Sequence, residues 1–497
     1  MDVIIFVISL MLAYILFKSL LSFRIIGKKL PPGPFQLPII GNLNKLGNLP
    51  HQSLANLAQI YGPIMHLKLG SVTTIVISSA TIAQQVLQKQ DIAFSSRFIP
   101  DGLCAFDHNR YSMVFLPIGP RWRSLRKIVN LNIFSVNKLD ANQHLRKRKV
   151  NEVVEYVKKC SRNGEAVDIG RAAFMTSLNL LSNTIFSKDI ADPGRDSAKE
   201  FRDLIRDIMI DAGRPNLADF FPVLKKLDPQ GVKRNMARHY VDLIEVLDGL
   251  INERLALMRS GNPVEYKDAL DELIKISQVN PDEIDKKLME HLFVDLFVAG
   301  TDTTSSVVEW GMVEVLRNSE TMLKLKSELR EVLGKGKILE EAYICRLPYL
   351  QCVVKETLRL HPPLPFLLPR QIDEEAEVNG YTIPKNSQVI VNVWAVGRDP
   401  VSWKNPLSFY PERFLDSVID VKGQDFELIP FGAGRRICPG LPLVMRMVPV
   451  MLGSLVNCFD WELEGGVLPN ELDMGEKFGL TVGKLLPLRA LATSDVV

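Results

Sequence analysis

One cysteine is surrounded by three glycines and an arginine pair in the stretch Phe431-Gly432-Ala433-Gly434-Arg435-Arg436-Ile437-Cys438-Pro439-Gly440. Such a loop lets the backbone approach a neighbour closely, and its positive charge and N–H groups favour a thiolate. A single thiolate in this setting is either a nucleophile or one axial ligand of a metal. A nucleophile needs a general base, and no histidine follows His361, whereas a haem iron needs only this one sulfur. For the loop alone, a structural cysteine in a glycine-rich turn stays an open alternative.

A carboxylate and a guanidinium lie three residues apart at Glu356 and Arg359, so they share one face of a predicted helix. That helix must end at His361, before Pro362-Pro363. In isolation this spacing is typical of a surface ion pair. Arg413, in Pro411-Glu412-Arg413-Phe414, offers the same carboxylate a second guanidinium.

The segment from Leu292 to Leu316 is apolar nearly all round, which predicts a buried central helix. Its middle reads Ala299-Gly300-Thr301-Asp302-Thr303-Thr304. Small and hydroxylated residues favour a local distortion of the helix there, and a capped break is the alternative. A carboxylate beside a hydroxyl in an apolar helix is costly unless it serves a proton path.

A fourth motif, Trp122-Arg123-Ser124-Leu125-Arg126, places an indole N–H and a guanidinium four residues apart on one helical face. Both groups are hydrogen-bond donors, so together they can bind carboxylates of a ligand. By itself this motif is a weak signal.

The composition describes one large folded domain: 497 residues, 46% hydrophobic and 24% charged, with no long linker. A net charge of +3 argues against nucleic acid as a partner. The six cysteines are sparse, and a core of this size needs no disulfides, so we expect thiols.

The apolar spacing predicts a mainly α fold with small β-sheets. The runs Ile64–Leu69 and Thr73–Ser78 flank Gly70-Ser71 and predict a hairpin, and a second pair of strands is expected within Tyr381–Val396. Helices are predicted over Ala141–Lys159, Ser197–Ile210, Arg234–Arg259, Pro281–Asn318, Glu320–Leu333 and Pro348–Leu360.

The amino terminus predicts a membrane anchor. Val3 to Phe23 is a 21-residue stretch with a single charge, long enough to cross a bilayer once, and basic residues follow it. The positive-inside bias then places the rest of the chain in the cytosol. We expect an anchor with its basic flank over 1–30 and a body over 31–497, which begins with the proline-rich hinge 31–34.

Taken in order, Pro31-Pro32-Gly33-Pro34 and the four motifs above resemble the haem-thiolate monooxygenases of the cytochrome P-450 superfamily, in its plant endoplasmic-reticulum form. The resemblance implies the P-450 fold with one amino-terminal transmembrane helix, and haem b with Cys438 as its axial thiolate. It implies further haem contacts from Phe431, Trp122, Arg126, Arg370 and Arg436, the last four to the propionates. Glu356, Arg359 and Arg413 resemble the structural triad, and Asp302 and Thr303 the acid and alcohol that deliver protons to dioxygen.

The same resemblance implies dioxygen as co-substrate, NADPH as the electron source and an NADPH-cytochrome reductase as partner on the endoplasmic reticulum membrane. The segments Val86–Arg97 and Asp425–Pro430 are most similar to plant terpenoid hydroxylases of the geraniol 8-hydroxylase group. We therefore expect a small apolar substrate, either a monoterpenol such as geraniol or an abietane-type diterpenoid. The residues that by resemblance border the substrate pocket are Phe106, Phe115, Phe293, Phe297, Ala299, Leu364, Phe366, Leu367, Phe478 and Leu480.

Three other functions stay open at this point. A haem-thiolate isomerase or dehydratase would act without a reductase, but Thr303 and the intact cysteine loop argue against it. A monooxygenase of a phenolic substrate is the second alternative. A haem carrier or sensor is the third, and it would not need the pair Asp302 and Thr303.

Overall fold

The computed structural model describes residues 29–190, 196–260 and 266–494. The predicted anchor, Val3 to Phe23, lies outside the described residues. Within them, helices dominate and the strands form small sheets, which confirms the predicted mainly α class. No disulfide forms among the described residues, so the six cysteines are thiols, as expected.

The predicted helices are all present, and Pro348–Leu360 has the same ends as in the prediction. In chain order the α-helices of the described residues are α1 Pro50–Tyr61, α2 Ala80–Gln84, α3 Pro120–Asn132, α4 Val136–Ala141, α5 Gln143–Asn163, α6 Ile169–Phe186, α7 Asp196–Gly213, α8 Leu217–Phe220, α9 Val232–Arg259, α10 Ala269–Val279, α11 Lys286–Arg317, α12 Ser319–Leu333, α13 Pro348–Leu360, α14 Val393–Val396 and α15 Leu441–Cys458.

Among the described residues the strands form one five-stranded sheet, in the order β1-β2-β8-β5-β3, one three-stranded sheet, β4-β12-β9, and the two-stranded pairs β6-β7 and β10-β11. The strands are β1 Ile64–Leu69, β2 Val72–Ile77, β3 Ser96–Arg97, β4 Val167–Asp168, β5 Arg370–Gln371, β6 Ala376–Val378, β7 Tyr381–Ile383, β8 Gln388–Val391, β9 Phe459–Leu463, β10 Glu476–Lys477, β11 Gly483–Lys484 and β12 Arg489–Ser494.

The first predicted hairpin is confirmed: β1 and β2 are antiparallel, and Gly70 at their turn has φ +57°. The second expected pair of strands is present as β7 and β8, but these belong to different sheets. β7 pairs with β6, whereas β8 pairs with β2 and β5. The end of that run, Val393–Val396, is helical because the Asn392 side chain accepts a hydrogen bond from the backbone N–H of Ala395, at 3.1 Å.

The proline-rich stretch 31–34 packs along β1. The Pro32 carbonyl accepts the backbone N–H of His66 at 2.8 Å. A Cβ added at Gly33 would lie 1.9 Å from the His66 carbonyl oxygen, so only glycine fits there. This stretch is therefore fixed to the body.

The central helix α11 contributes to two hydrophobic cores. Leu288 to Phe297 pack with α3, α6, α7, α9 and α10, and Val307 to Val315 pack with α12, α13 and α15. The buried hydrophobic members of both cores stop short of residues 299–306. These eight residues therefore lie between the two cores, where polar side chains are tolerated.

The predicted distortion of α11 is wrong, and so is the alternative of a capped break, because the helix runs without interruption from Lys286 to Arg317. The hydroxyl of Thr301 donates to the Phe297 carbonyl at 2.8 Å, and that of Thr303 to the Ala299 carbonyl at 2.7 Å. The hydroxyls are thus satisfied within the helix instead of breaking it.

One helix of the described residues, α15, is long and apolar enough to cross a membrane. Two thirds of it is buried in the protein, however, and every residue from Met447 to Cys458 is buried. Helix α15 is therefore a core helix that follows the cysteine loop.

A buried ionic triad joins α13 to the segment that follows α14. Both carboxylate oxygens of Glu356 accept from Arg359, each at 2.7 Å, and Nε of Arg413 lies 3.1 Å from the same two oxygens. The Arg359 guanidinium also donates to the carbonyls of Pro406 and Ser408, at 2.7 and 3.0 Å. The side chains of Glu356 and Arg359 are 0% exposed, so this pair is part of the core and not of the surface.

We expect Glu356→Ala to lower the free energy of unfolding by ~3–5 kcal/mol, because it leaves two guanidiniums buried without their carboxylate. Denaturant unfolding followed by tryptophan fluorescence measures this. The matched control is Glu320→Ala, whose side chain is 82% exposed and pairs with Lys324 one helical turn away. It should cost less than ~0.5 kcal/mol. Equal losses in the two variants would contradict the structural role of the triad.

Candidate active site

The cysteine loop is closed by its own backbone and packs closely on the turn that follows α2, at Leu87. The Cys438 N–H donates to the Phe431 carbonyl at 3.0 Å, which closes the loop. Gly434 has φ +69°, and a Cβ added to it would lie 2.2 Å from the Leu87 carbonyl oxygen. The glycine therefore lets the loop approach the backbone of residue 87 closely enough to fix the cysteine.

Protein surrounds the Cys438 thiol, although the residue keeps partial solvent access, and this desolvation raises the pKa of the thiol. The backbone N–H groups of Gly440 and Leu441 and the charge of Arg126 oppose that rise. Gly440 and Leu441 lie at the start of α15, where unpaired N–H groups favour negative charge. The sulfur thus lies in a setting that binds a metal cation as a thiolate.

Four arginines converge next to this loop. Arg126 donates to the Ile437 carbonyl at 2.7 Å, one residue before the cysteine. Arg436 donates to the carbonyls of Ser95 and Leu116, at 3.0 and 2.6 Å. Arg97 and Arg370 are directly opposite each other in the antiparallel pair β3–β5.

No carboxylate of the described residues lies within ion-pair distance of these four guanidiniums. Desolvation, together with the charges of neighbouring arginines, lowers the pKa of Arg370 and of Arg436 to about 10. The pKa of Arg97 falls as well, through burial and the charges of Arg370 and Arg436. Like charges held this close destabilise the protein unless an anion binds between them. The cluster is thus suited to a ligand with two carboxylates.

Arg97 was missed by the sequence analysis, although it ends the Val86–Arg97 segment. Its position beside Arg370 becomes evident only from the pairing of β3 with β5, two strands of two residues each. Trp122 was expected to contact a haem propionate. In the structure its indole N–H donates to the Met113 carbonyl at 3.1 Å, and the Arg436 guanidinium lies over its ring at 5.1 Å. In this structure the indole therefore supports Arg436 and the loop at Met113.

Asp302 lines a cavity of about 670 Å³ between α6, α7, α11 and the β10–β11 hairpin, whose lining contains both charged and apolar side chains. Burial raises the pKa of the Asp302 carboxyl, and the positive charge of Arg206 opposes the rise. Ser305 and Glu309 continue the same helical face into the cavity, and burial raises the pKa of Glu309 to about 7. The cavity thus brings two carboxyl groups with raised pKa values alongside the central helix.

Thr303 is adjacent to Asp302 and partly accessible. Because its hydroxyl donates to the Ala299 carbonyl, the oxygen keeps lone pairs that can accept from water. Ala299, one turn before it, has an exposed side chain in the middle of an otherwise buried helix. This face of α11 is therefore open at the level of Ala299 and Thr303.

Two of the predicted pocket residues are in contact with each other. Phe366 and Phe478 pack edge to face, with ring centroids 6.0 Å apart. The loop after α13 and the β10–β11 hairpin bring them together. Their partly accessible neighbours from the same two segments are Leu364, Leu367 and Leu480.

Two predicted pocket residues lie elsewhere. Phe293 and Phe297 are 0% exposed and pack on Phe186 of α6, at centroid distances of 5.1 and 6.1 Å. They belong to the interhelical core, because an apolar helix presents large residues to its neighbours on every side. Phe115 is also buried, whereas Phe106 is 46% exposed on the loop before it.

Known proteins that are similar to this chain belong to a family whose members bind haem through a cysteine thiolate, as the residues of this site suggest. The family model for Cytochrome P450 matches residues 31–486. A geraniol 8-hydroxylase from Swertia mussotii is 59% identical over 96% of both chains, and one from Catharanthus roseus is 57% identical over 99% of this chain and 100% of its own. A 7-ethoxycoumarin O-deethylase from Helianthus tuberosus is 57% identical over 98% of both.

The chain belongs to the cytochrome P450 family and is a haem-thiolate monooxygenase. The residues present fit this cofactor, because a thiol in a closed loop and a cluster of unneutralised arginines together match an iron and two propionates. The isomerase reading is not favoured, since the similar relatives are oxygenases by name.

We expect Gly434→Ala to reduce the fraction of protein that shows the thiolate band in the reduced, carbon-monoxide difference spectrum by at least ~10-fold. The new Cβ would clash with the backbone of Leu87, which cannot move aside as a side chain can. Gly432→Ala is the control: its φ is +72°, but the nearest atom, in the Leu367 side chain, lies at 3.7 Å. It should cost only ~1 kcal/mol and keep the band. Loss of the band in both variants would show that glycine is needed at these positions because of the positive φ and not because of the close approach to Leu87.

Proposed function

We propose that this monooxygenase hydroxylates a terpenoid, and that a ten-carbon alcohol such as geraniol is the substrate to test first. The observation that carries the proposal is the identity of 57–59% with two geraniol 8-hydroxylases over nearly the whole chain. The reaction inserts one atom of dioxygen into a C–H bond, and the other atom leaves as water at the expense of NADPH and a proton.

Cys438 is the axial ligand of the haem in this proposal, and Arg97, Arg126, Arg370 and Arg436 hold its propionates. The haem, when bound, supplies the activation of dioxygen. The chain supplies a fixed thiolate, charge neutralisation at the propionate edge, substrate placement and protons. Phe431 contributes the carbonyl that closes the cysteine loop.

Asp302 and Thr303 are the proton donors in this proposal. Burial raises the pKa of Asp302, which favours its protonated form, and the cavity that it lines gives water and protons a route from the surface. Thr303, on the open face beside Ala299, accepts a hydrogen bond from water and holds a proton next to the reacting centre.

The predicted pocket residues support an apolar substrate. Leu364, Phe366, Leu367, Phe478 and Leu480 carry no charge and no amide, so binding there depends on shape and buried apolar area, at ~25 cal/mol per Å². A terpenoid hydrocarbon skeleton meets that requirement, and a charged phenylpropanoid ester does not.

The two electrons come from NADPH through a membrane-bound NADPH-cytochrome reductase in this proposal. Exposed Arg123 and Lys127 flank Arg126 on α3, on the cysteine side of the protein, and they fit an acidic partner surface.

The protein is anchored in the endoplasmic reticulum membrane with its body in the cytosol in this proposal. An exposed apolar surface near the first described residues supports it. Hydrogen bonds from Gly70 to Ile40 and from Ser71 to Phe220, at 3.1 and 2.8 Å, bring two loops together at the β1–β2 turn. These loops expose large apolar side chains, namely Phe35, Ile39, Ile40, Val223 and Leu227.

The test of function uses the full chain in membranes with NADPH-cytochrome reductase. Geraniol and an abietane phenol are titrated for a low-spin to high-spin shift, and products are analysed with and without NADPH. 7-Ethoxycoumarin is the non-terpenoid probe, and Cys438→Ala, which should retain no haem, is the control. We expect a spin shift and an oxygenated, NADPH-dependent product with at least one terpenoid.

Three results would contradict the proposal. The first is that neither terpenoid binds, whereas 7-ethoxycoumarin or a charged phenylpropanoid ester is turned over strongly. That result would favour a phenolic substrate. A product formed without NADPH would favour an isomerase or dehydratase. A thiolate band in Cys438→Ala would exclude Cys438 as the ligand.

We expect Thr303→Ala to lower the amount of product per NADPH by at least ~10-fold with little change in the substrate dissociation constant, because its hydroxyl serves proton transfer and not ground-state binding. The matched control is Thr304→Ala. Its hydroxyl makes the same contact, to the Gly300 carbonyl at 3.0 Å, but the residue is buried. If Thr303→Ala forms as much product per NADPH as the wild type, or if both variants lose product per NADPH equally, Thr303 is not part of the proton path.

A further inference from the structure

A loop that carries two predicted pocket residues, Phe106 and Phe115, is held by two adjacent sets of buried polar contacts. In the first set, carbonyls of residues 113–116 accept from Trp122 and Arg436, next to the cofactor arginines. In the second set, His108 and Ser112 contact the central helix α11. This second attachment belongs to no part of the machinery described above.

The second attachment, here called the Asp295 network, consists of Ser112 and His108 from the loop and Asp295 and His291 from α11. The Ser112 hydroxyl donates to Oδ1 of Asp295 at 2.7 Å, and Nε2 of His108 lies 3.2 Å from the same oxygen. Nδ1 of His108 lies 2.8 Å from Nδ1 of His291. All four residues are at most 6% exposed.

Only one arrangement of protons satisfies these contacts with neutral imidazoles. Nε2 of His108 faces the Asp295 carboxylate at ion-pair distance, which favours a proton on Nε2, so that Nδ1 is an acceptor. His291 must then carry its proton on Nδ1 to donate to His108. Desolvation, and then the charges of His108 and Lys287, lower the pKa of His291 to about 3, so that this imidazole stays neutral.

The groups packed around the network give it no second partner for Asp295. The ring of Tyr240, from α9, lies 4.6 Å from that of His108, and burial, followed by the charge of Asp295, raises the pKa of the Tyr240 hydroxyl. Tyr111 stacks on His291, with Lys287 and Arg121 over its outer face. Oδ2 of Asp295 has no hydrogen-bond partner among the described residues. The loop therefore supplies the hydrogen bonds that offset the burial of this carboxylate.

Asp295 lies one helical turn before Ala299, and residues four apart share a helix face. We propose that Asp295 is a positioning residue: by binding Ser112 it fixes the loop 101–116 to α11 one turn before the open face at Ala299, and so determines which carbon of the substrate is oxidised. This inference rests on the proposed function, since that function supplies the substrate that the loop orients.

The test compares Asp295→Leu with Asp295→Asn in the full-length holoenzyme. Leucine has a similar shape and no acceptor, whereas the asparagine oxygen still accepts from Ser112 and His108. Hydrogen–deuterium exchange of residues 101–116, without substrate, reads the attachment directly. We expect roughly 10-fold faster exchange in Asp295→Leu and a rate near that of the wild type in Asp295→Asn.

The second readout is the distribution of oxygenated products from geraniol, or from 7-ethoxycoumarin if that is the substrate which the wild type oxidises. We expect more positions to be oxidised in Asp295→Leu, with an unchanged thiolate band, and a wild-type distribution in Asp295→Asn. If Asp295→Leu does not retain haem, Ser112→Ala, which removes one donor only, should accelerate exchange in the same direction.

Two results would overturn the inference. One is wild-type exchange of the loop in both Asp295→Leu and Ser112→Ala. The other is equal acceleration in Asp295→Leu and Asp295→Asn, which would show that charge and not the acceptor matters. Because exchange is measured without substrate, failure of the terpenoid proposal alone would leave the exchange result intact, and the two failures are distinguishable.

Discussion

Four guanidiniums converge beside one thiol, and no carboxylate of the described residues neutralises them. This unbalanced charge is the constraint on which the site depends. Arg97 and Arg370 are opposite each other in a two-residue strand pair, where like charges repel, so their pairing is favourable only with an anion between them. In the proposed function the haem propionates supply that anion, and cofactor binding would then contribute directly to the stability of the fold around the cysteine.

The central helix α11 places polar groups inside an otherwise apolar protein interior. Its two apolar halves are packed into different cores, which leaves residues 299–306 between them. The three threonine hydroxyls in this interval donate to carbonyls of the same helix, so that α11 stays continuous while Asp302 faces a cavity. The helix is thus continuous at the proposed proton donors, Asp302 and Thr303, and the cavity lies alongside it.

The sequence was most informative where the residues that contact one another belong to the same short motif. The loop 431–440, the pair Glu356 and Arg359, and the hairpin at Gly70 all depend on contacts of short range or on one recurrent pattern, and the structure has them as expected. Phe293 and Phe297 pack in the interhelical core, which the sequence did not indicate, because a helix that is apolar all round gives no sign of which neighbour each face meets. Arg97 and Asp295 could not be predicted, because each depends on a partner that is distant in the chain.

The segment from Ser112 to Leu116 links the two ends of the active site. Its carbonyls satisfy Trp122 and Arg436 at the cofactor edge, while Ser112 binds Asp295 on the central helix. A backbone held at both ends cannot adjust at one without strain at the other, since its donors and acceptors have no alternative partners in a buried setting. The position of the arginines and the position of the substrate loop are therefore set together, and a change in the pocket that moves this segment also alters the environment of Arg436.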